Sequence, residues 1–186
     1  MSPIPAVFLD RDETLIANTG DLGDPNQVQL LPGVTEGVKA LHAAGWMLIV
    51  ITNQGGVARG RFRTEDVDAV HAKVQHLLAT HTGIDAPIRH FYSCPWHPDG
   101  TVPEWTREHP WRKPQPGMLL AAAQDYDIDL DASWMVGDTA RDIEAGQASG
   151  CRTILLGPAV ANPTHHCDDL MQAAAHIGTA SARSKD

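Results

Sequence analysis

The sequence predicts an α/β fold built on a doubly wound, Rossmann-like parallel sheet with no separate cap domain. Three observations carry this. Short apolar runs alternate with stretches whose apolar residues recur at helical spacing, the pattern of strands joined by crossover helices. One run, Trp46 to Ile51, is apolar without a break, as a strand covered on both faces must be. Asp10, Thr52 and Asp138 each directly follow an apolar run, which sets all three along one edge of such a sheet, where its ligands bind.

In chain order, Pro5 to Leu9 reads as the first strand. Residues 17 to 32 are rich in Asn, Asp, Gly and Pro and read as a loop that admits a short strand at Val28–Leu31. Val34, Val38 and Leu41 mark a helix that Gly45 closes. The second strand, Trp46–Ile51, follows. Thr64 is the expected N-cap of a long helix, with Glu65 and Asp66 in its first turn and Val67, Val70, Val74 and Leu77 on its buried face. Ile88–Tyr92 reads as a third strand. Residues 94 to 116 form a Pro- and Trp-rich loop, and a loop of that length in a compact domain is usually functional. Gly117–Tyr126 reads as helix, Trp134–Val136 as strand, Thr139–Ser149 as helix and Thr153–Leu156 as strand. Gly157–His166 reads as a loop and Asp168–Ile177 as a last helix. Residues 1–178 are expected to form one domain and 179–186 a disordered tail.

The 186 residues are enough to bury a substantial core. Fourteen basic against 23 acidic side chains give a formal charge of −9, which argues against nucleic acid and anionic membranes as partners. Three unevenly spaced cysteines form no disulfide framework and imply a reducing compartment. The N-terminal residues lack the basic and apolar regions of a signal peptide, and no apolar run approaches bilayer-spanning length. A cytoplasmic monomer is expected.

The chemistry begins at Asp10 and Asp12. Two carboxylates crowded at a strand end repel each other, and folding does not require them there. A divalent cation relieves the repulsion, and phosphoryl transfer uses it. On a strand, residues two apart leave on the same side. Asp10, at the strand terminus, is the candidate nucleophile. Asp12 is placed to protonate the leaving oxygen and then deprotonate the attacking water. Asp138 completes a magnesium site. Thr52 offers a hydroxyl to a phosphate oxygen, Lys113 a compact positive charge and Arg112 a planar fork. Asp142 reads as an acid favouring the first turn of its helix. Taken singly, each of these residues also fits a turn former, a cap or a surface side chain. The weight lies in their ordered combination.

Phe8-Leu9-Asp10-Arg11-Asp12, Thr52-Asn53-Gln54, Gly56-Val57-Ala58-Arg59-Gly60, Cys94-Pro95, Arg112-Lys113-Pro114 with Pro116-Gly117-Met118-Leu119, and Met135-Val136-Gly137-Asp138 resemble the motifs of the haloacid dehalogenase superfamily of phosphatases. Within it they are similar to the heptose-bisphosphate and histidinol-phosphate phosphatase subfamily. The resemblance implies Asp10 as nucleophile and Asp12 as general acid/base. It implies Mg2+ held by Asp10, Asp138 and the backbone carbonyl of Asp12, with Thr52 and Lys113 steadying the transferred phosphoryl group. It places Arg112 at the rest of the substrate, a small phosphorylated sugar, and specifically at its second phosphate. Asn18, Thr19, Gly20 and Asp21, and Asn53, Gln54 and Gly55, fall where the family touches substrate, and Arg59 is a further candidate.

The chain also departs from the family. The resemblance implies a structural zinc held in the long loop by a Cys-x-His and a Cys-x-Cys pair. Here Trp96 stands in the histidine place, and His109 and Trp111 stand in the two later cysteine places. Tryptophan ligates no zinc, so zinc is expected to be absent, with Trp96, Trp105 and Trp111 packing in its stead. Cys94, His97 and His109 are what remains of a degenerate site. Glu13 replaces a glycine, and Thr139 replaces a basic residue. His165-His166-Cys167 reads as a solvated loop. The resemblance favours removal of the C7 phosphate of a heptose 1,7-bisphosphate. Histidinol-phosphate or broad small-molecule phosphatase activity is the alternative, and a receiver-like phospho-accepting domain is the alternative of another class.

Overall fold

The computed structural model describes residues 3–18, 20–158 and 161–183, with side chains described as far as residue 178. Six parallel strands form one sheet in the order β3-β2-β1-β4-β5-β6. They are β1 (Ala6–Leu9), β2 (Met47–Asn53), β3 (His90–Cys94), β4 (Trp134–Gly137), β5 (Arg152–Leu156) and β6 (His165–Cys167). The helices are α1 (Val34–Ala43), α2 (Thr64–Thr82), α3 (Gly117–Tyr126), α4 (Ala140–Ser149) and α5 (Leu170–Arg183). The chain winds outward from β1 to β3, then returns to the far side of β1 with β4. The sheet therefore reverses direction between β1 and β4, where such sheets open a crevice.

The pleat sorts the core into two layers. Val7, Leu9, Leu48 and Val50 point to one face and join Val38, Leu41, Val74, Leu78, Leu170 and Ile177 from α1, α2 and α5. Ala6, Phe8, Ile49 and Ile51 point to the other and join Met118, Leu119, Ala122 and Ala145 from α3 and α4. Each fully buried Leu, Ile or Phe contributes roughly 1.5–3 kcal/mol.

Element boundaries moved where side chains compete with backbone pairing. β3 begins two residues later than the apolar run indicated. Gln75 of α2 brackets Ile88, donating to its carbonyl at 2.8 Å and accepting from its N–H at 3.1 Å, so that residue has no ladder bond to offer. Thr64 is the first residue of α2 rather than its cap; the cap is Arg63, whose N–H donates to Asp66 Oδ2 at 2.8 Å. Leu78, not Leu77, is the buried leucine of that helix, and Leu77 is only partly covered. The strand admitted at Val28–Leu31 reduces to a single bridge from Leu30 to Ile16. β6 is a strand where a solvated loop was expected, because Cys167 buries against the core and the segment pairs with β5. Helix α5 continues to Arg183 through part of the expected tail; residues 184–186 lie outside the described residues.

Candidate active site

The strand register builds the site. Leu9 pairs with Val50 on one side and with Val136 on the other. The Asp10 N–H continues that ladder, donating to the Val136 carbonyl at 2.9 Å. Asp10, Thr52 and Asp138 thus emerge together at one edge, and all three line a cleft of about 420 Å3.

Lys113 is the centre of this edge. Only 2% of it is exposed, and its Nζ meets Asp10 Oδ1 at 2.7 Å, Asp142 Oδ1 at 2.6 Å and the Ile51 carbonyl at 2.9 Å. Asn53 clamps its backbone from both sides, donating to the Lys113 carbonyl and accepting from its N–H, each at 3.0 Å. The two facing carboxylates raise the lysine pKa against the cost of burial. Asp142 is fully buried, and its Oδ2 accepts from the Thr139 N–H at 3.0 Å and hydroxyl at 2.6 Å. The expectation that Asp142 merely favours a helix turn is therefore corrected: it caps α4 and holds Lys113. Gly137 makes this approach feasible, because a Cβ there would meet the Asp142 Cβ at 2.4 Å. In the sequence, the Thr-x-x-Asp capping spacing masked this second role.

Asp10 Oδ1 also accepts from the Arg11 N–H at 2.7 Å, while Oδ2 makes no hydrogen bond among the described residues. Burial, with Asp142 and Asp12 nearby and Lys113 opposing, raises its pKa to about 7. Asp12 shares the cleft for a reason other than strand alternation. β1 stops at Leu9, and the chain turns so that the Arg11 side chain is buried behind it. Asp12 is pinned by Arg11 Nη2 at 3.1 Å, Asn18 Nδ2 at 2.7 Å, Gln54 Nε2 at 2.7 Å and the Thr52 hydroxyl at 3.3 Å. Gln54, expected at the substrate, is instead buried behind Thr52 and Asp12, donating to both. Thr52 currently donates to Asp12, and its hydroxyl still faces the cleft.

Asp10, Asp138 and Asp142 bring carboxylate oxygens within 4.8 Å of one another. Asp138 Oδ1 is buried with no hydrogen-bond partner, and burial with Asp142 close by raises this carboxyl to about 6. Six carboxylates (Asp10, Asp12, Glu13, Asp21, Asp138 and Asp142) face four cations (Arg59, Arg112, Lys113 and Arg141) in the cleft. One divalent cation balances that excess, and an orphaned buried oxygen beside Asp10 is the donor it needs. The expected side-chain pair Asp10 and Asp138 fits a magnesium ion. Asp142 has both oxygens engaged, and the Asp12 carboxylate stands outside the cluster.

Asn18, Gly20, Asp21, Asn53, Gly55, Arg59 and Arg112 line the cleft, as expected; Thr19 lies outside the described residues. Asp21 takes a fork from Arg59, at 3.1 Å from Nε and 2.5 Å from Nη2, and a second ion pair from Arg61 at 2.9 Å. Gly55 leaves room for two guanidinium groups: a Cβ there would lie 3.0 Å from Arg59 Nη1 and 3.5 Å from Arg112 Nη1. Glu13 has a left-handed φ of 56°, so it occupies a glycine conformation, and its side chain accepts from the Asn18 N–H. Arg141 lines the cleft too and was missed, and His97, expected only as a remnant of the zinc site, lines it as well.

The long loop packs on aromatic rings. Trp96 stacks on His109 at 3.7 Å and meets Trp105 at 5.3 Å, while Trp111 packs edge-on against Tyr92 at 5.9 Å. Of the expected three-tryptophan cluster, Trp96 and Trp105 meet directly, while Trp111 joins through His109, edge-on at 6.1 Å. The His97 and His109 Nδ1 atoms accept from the backbone N–H groups of Asp99 and Trp111, at 3.0 and 3.1 Å. Burial pushes the Cys94 thiol up to about 11.

Comparison with known proteins supports one assignment. The HAD-hydrolase-like family model matches residues 110–179. The chain is 43% identical to the D-glycero-D-manno-heptose-1,7-bisphosphate 7-phosphatase of Thermosynechococcus vestitus, over 83% of this chain and 79% of that one. It is 39% identical to the D-glycero-beta-D-manno-heptose-1,7-bisphosphate 7-phosphatase of Yersinia pestis, over 82% and 80%. The crystal structure of D,D-heptose 1,7-bisphosphate phosphatase from B. bronchiseptica, complexed with magnesium and phosphate, superposes with a TM-score of 0.82 at 29% identity, covering 95% of this chain and 99% of that one. With a six-stranded parallel sheet and an aspartate-lysine centre at the β1/β4 crevice, the chain belongs to the haloacid dehalogenase (HAD) hydrolase family of phosphatases, alongside the heptose-bisphosphate phosphatases.

Proposed function

We propose that the protein is a magnesium-dependent phosphatase that removes the C7 phosphate of D-glycero-D-manno-heptose 1,7-bisphosphate through an aspartyl-phosphate on Asp10. The observation that carries this reading is the pairing of Asp10 Oδ1 with buried Lys113 while Oδ2 stays unbonded in the cleft. A fixed ammonium restrains the nucleophile and favours its charged form against the effect of burial. Relatives bearing the heptose-bisphosphatase name support the substrate assignment.

In the first step, Asp10 Oδ2 bonds to phosphorus as the phosphorus–oxygen bond to the sugar breaks, and Asp12 gives its proton to the departing oxygen. In the second, Asp12 takes a proton from water as that water attacks phosphorus, releasing inorganic phosphate and restoring the Asp10 carboxylate. Asp12 must loosen its contacts to Gln54 and Thr52 to do so, and the freed Thr52 hydroxyl then faces a phosphate oxygen. Asp10 and Asp138, with the Asp12 carbonyl, would hold magnesium, which supplies charge neutralisation for the transferred group when bound. Arg112 and Arg59 orient the remainder of the substrate. One domain of 1–178 accounts for these parts, and the aromatic loop stands in for zinc. Elemental analysis returning one zinc per chain would contradict the latter.

A substrate panel with magnesium tests the reading. Both anomers of heptose 1,7-bisphosphate, fructose bisphosphate and histidinol phosphate are compared by kcat/KM. Highest efficiency on a heptose bisphosphate supports it. Preference for histidinol phosphate, uniform rates, or one phosphate retained per chain without turnover would replace it by the histidinol, broad-specificity or receiver reading, in that order.

A further inference from the structure

We propose that Arg11 is a positioning residue for the reaction, holding Asp12 in fixed geometry relative to Asp10 from behind the cleft. This rests on the phosphatase reading above and adds to it a residue that touches no substrate.

One residue grips both reacting carboxylates. The Arg11 N–H donates to Asp10 Oδ1 at 2.7 Å. Its guanidinium donates to Asp12 Oδ1 from Nε at 3.3 Å and from Nη2 at 3.1 Å, and to Oδ2 from Nη2 at 3.2 Å. The base of this bracket is locked: the Arg11 carbonyl accepts from the Leu15 N–H at 2.9 Å and the Ile16 N–H at 3.1 Å, and both residues are fully buried. Arg11 is itself fully buried and is not among the residues that line the cleft. Asp12 is its one ion-pair partner among the described residues. His71 of α2 is buried nearby and kept neutral by burial and by the Arg11 charge, so it offers the guanidinium no competing anion.

Folding does not explain this placement. Position 11 follows the end of β1, and its side chain turns into the interior, where arginine is rarely fully buried. Nη1 has no hydrogen-bond partner among the described residues, a desolvation cost that an apolar side chain of similar volume would avoid. The reaction does explain it. Asp12 must give up Gln54 and Thr52 before it meets the ester oxygen, and a carboxylate released from them alone would be free to rotate. A planar fork touching both oxygens resists that rotation, as the point charge of a lysine does not. Held this way, Asp12 passes its proton to the ester oxygen as that oxygen's bond to phosphorus breaks and Asp10 bonds to phosphorus.

The test compares wild type, Arg11→Met, Arg11→Lys and Asp12→Asn on heptose 1,7-bisphosphate, phenyl phosphate and p-nitrophenyl phosphate. The sugar alcohol and phenol leave poorly without a proton, whereas p-nitrophenolate leaves without one. Both Arg11 variants are expected to lower kcat/KM about tenfold more on the first two esters than on p-nitrophenyl phosphate, a bias that Asp12→Asn should share. Arg11→Lys keeps a buried cation, so its bias separates the fork from mere charge. Equal losses on all three esters, or no loss, would overturn the proposal, as would loss of the folded state in both Arg11 variants by circular dichroism, which would give Arg11 a structural role. An unbiased loss in Asp12→Asn would remove the acid role from Asp12 and the proposal with it. Wild type active on the aryl esters but not on the heptose ester would sink the substrate assignment and leave the aryl ratio to judge Arg11. Wild type inert on all three would sink the phosphatase reading and this proposal together.

Discussion

Lys113 Nζ lies 2.6 Å from Asp142 Oδ1, an ion pair sealed from solvent between the long loop and the first turn of α4. Each charge is tolerable only because the other is there. Asp142→Asn is expected to destabilise the protein by about 3 kcal/mol in urea unfolding. It should also lower kcat/KM on the order of 100-fold, because Lys113 loses one of its two anionic restraints. Wild-type stability and rate together would show that the pair is idle.

Asp10→Asn keeps the shape of the nucleophile and removes its charge. Turnover should fall to background and phosphoenzyme should vanish, while circular dichroism stays unchanged. Wild-type turnover would remove Asp10 from the mechanism.

Magnesium and protons should compete. Burial raises Asp10 to about 7 and Asp138 to about 6 in the metal-free fold, above their unfolded values. Groups raised this way contribute stability that is full below the ordinary carboxylate range and is lost as pH climbs through about 6 to 7. A cation binds the deprotonated pair, so the gain in Tm on adding magnesium should be larger near pH 8 than near pH 5. A gain independent of pH would contradict the assignment of these ligands.

His71 works in the opposite sense. Burial, then the nearby Arg11 charge, lower its pKa to about 3, and it stacks on Phe91 at 4.7 Å. A depressed histidine contributes stability above its unfolded value near 6.5, and that contribution is lost as pH falls. Relative to His71→Leu, wild type should lose about 2 kcal/mol between roughly pH 6.5 and pH 5. Parallel pH–stability curves would mean that His71 does not titrate in this way.

Glu13 pays for its left-handed backbone with a side-chain hydrogen bond to the Asn18 N–H. Ala keeps the strain without the bond, and Gly has no strain. Glu13→Gly should therefore be more stable than Glu13→Ala by about 1 kcal/mol in denaturant titration. Equal stabilities would mean that the backbone relaxes on substitution.

Most of the architecture was legible because burial leaves a period in the chain. Phe8 and Ile49 on one face, Leu9 and Val50 on the other, produce unbroken apolar runs that only a doubly covered strand needs. The shared edge of Asp10, Thr52 and Asp138 was legible as well, since each directly follows such a run, whereas Lys113, in the long loop, was legible only through the ordered combination of motifs. Segments held by side chains were not. β3 slipped because Gln75 bonds the backbone of Ile88, and β6 hid because a two-histidine stretch lacks an apolar period.

Residue order alone thus settles the five strands that carry an apolar run and which acids stand at their ends, since both follow from where local apolar runs stop. It is silent on the roles of Asp142 and Gln54 and on the surroundings of Arg141. Those depend on what lies across the cleft: Asp142 is buried against a lysine 29 positions earlier, Gln54 reaches back to Asp12, and Arg141 has no acid paired with it among the described residues. Charge compensation acts through space, and neighbours in space are assigned only when the sheet brings separate segments to one edge.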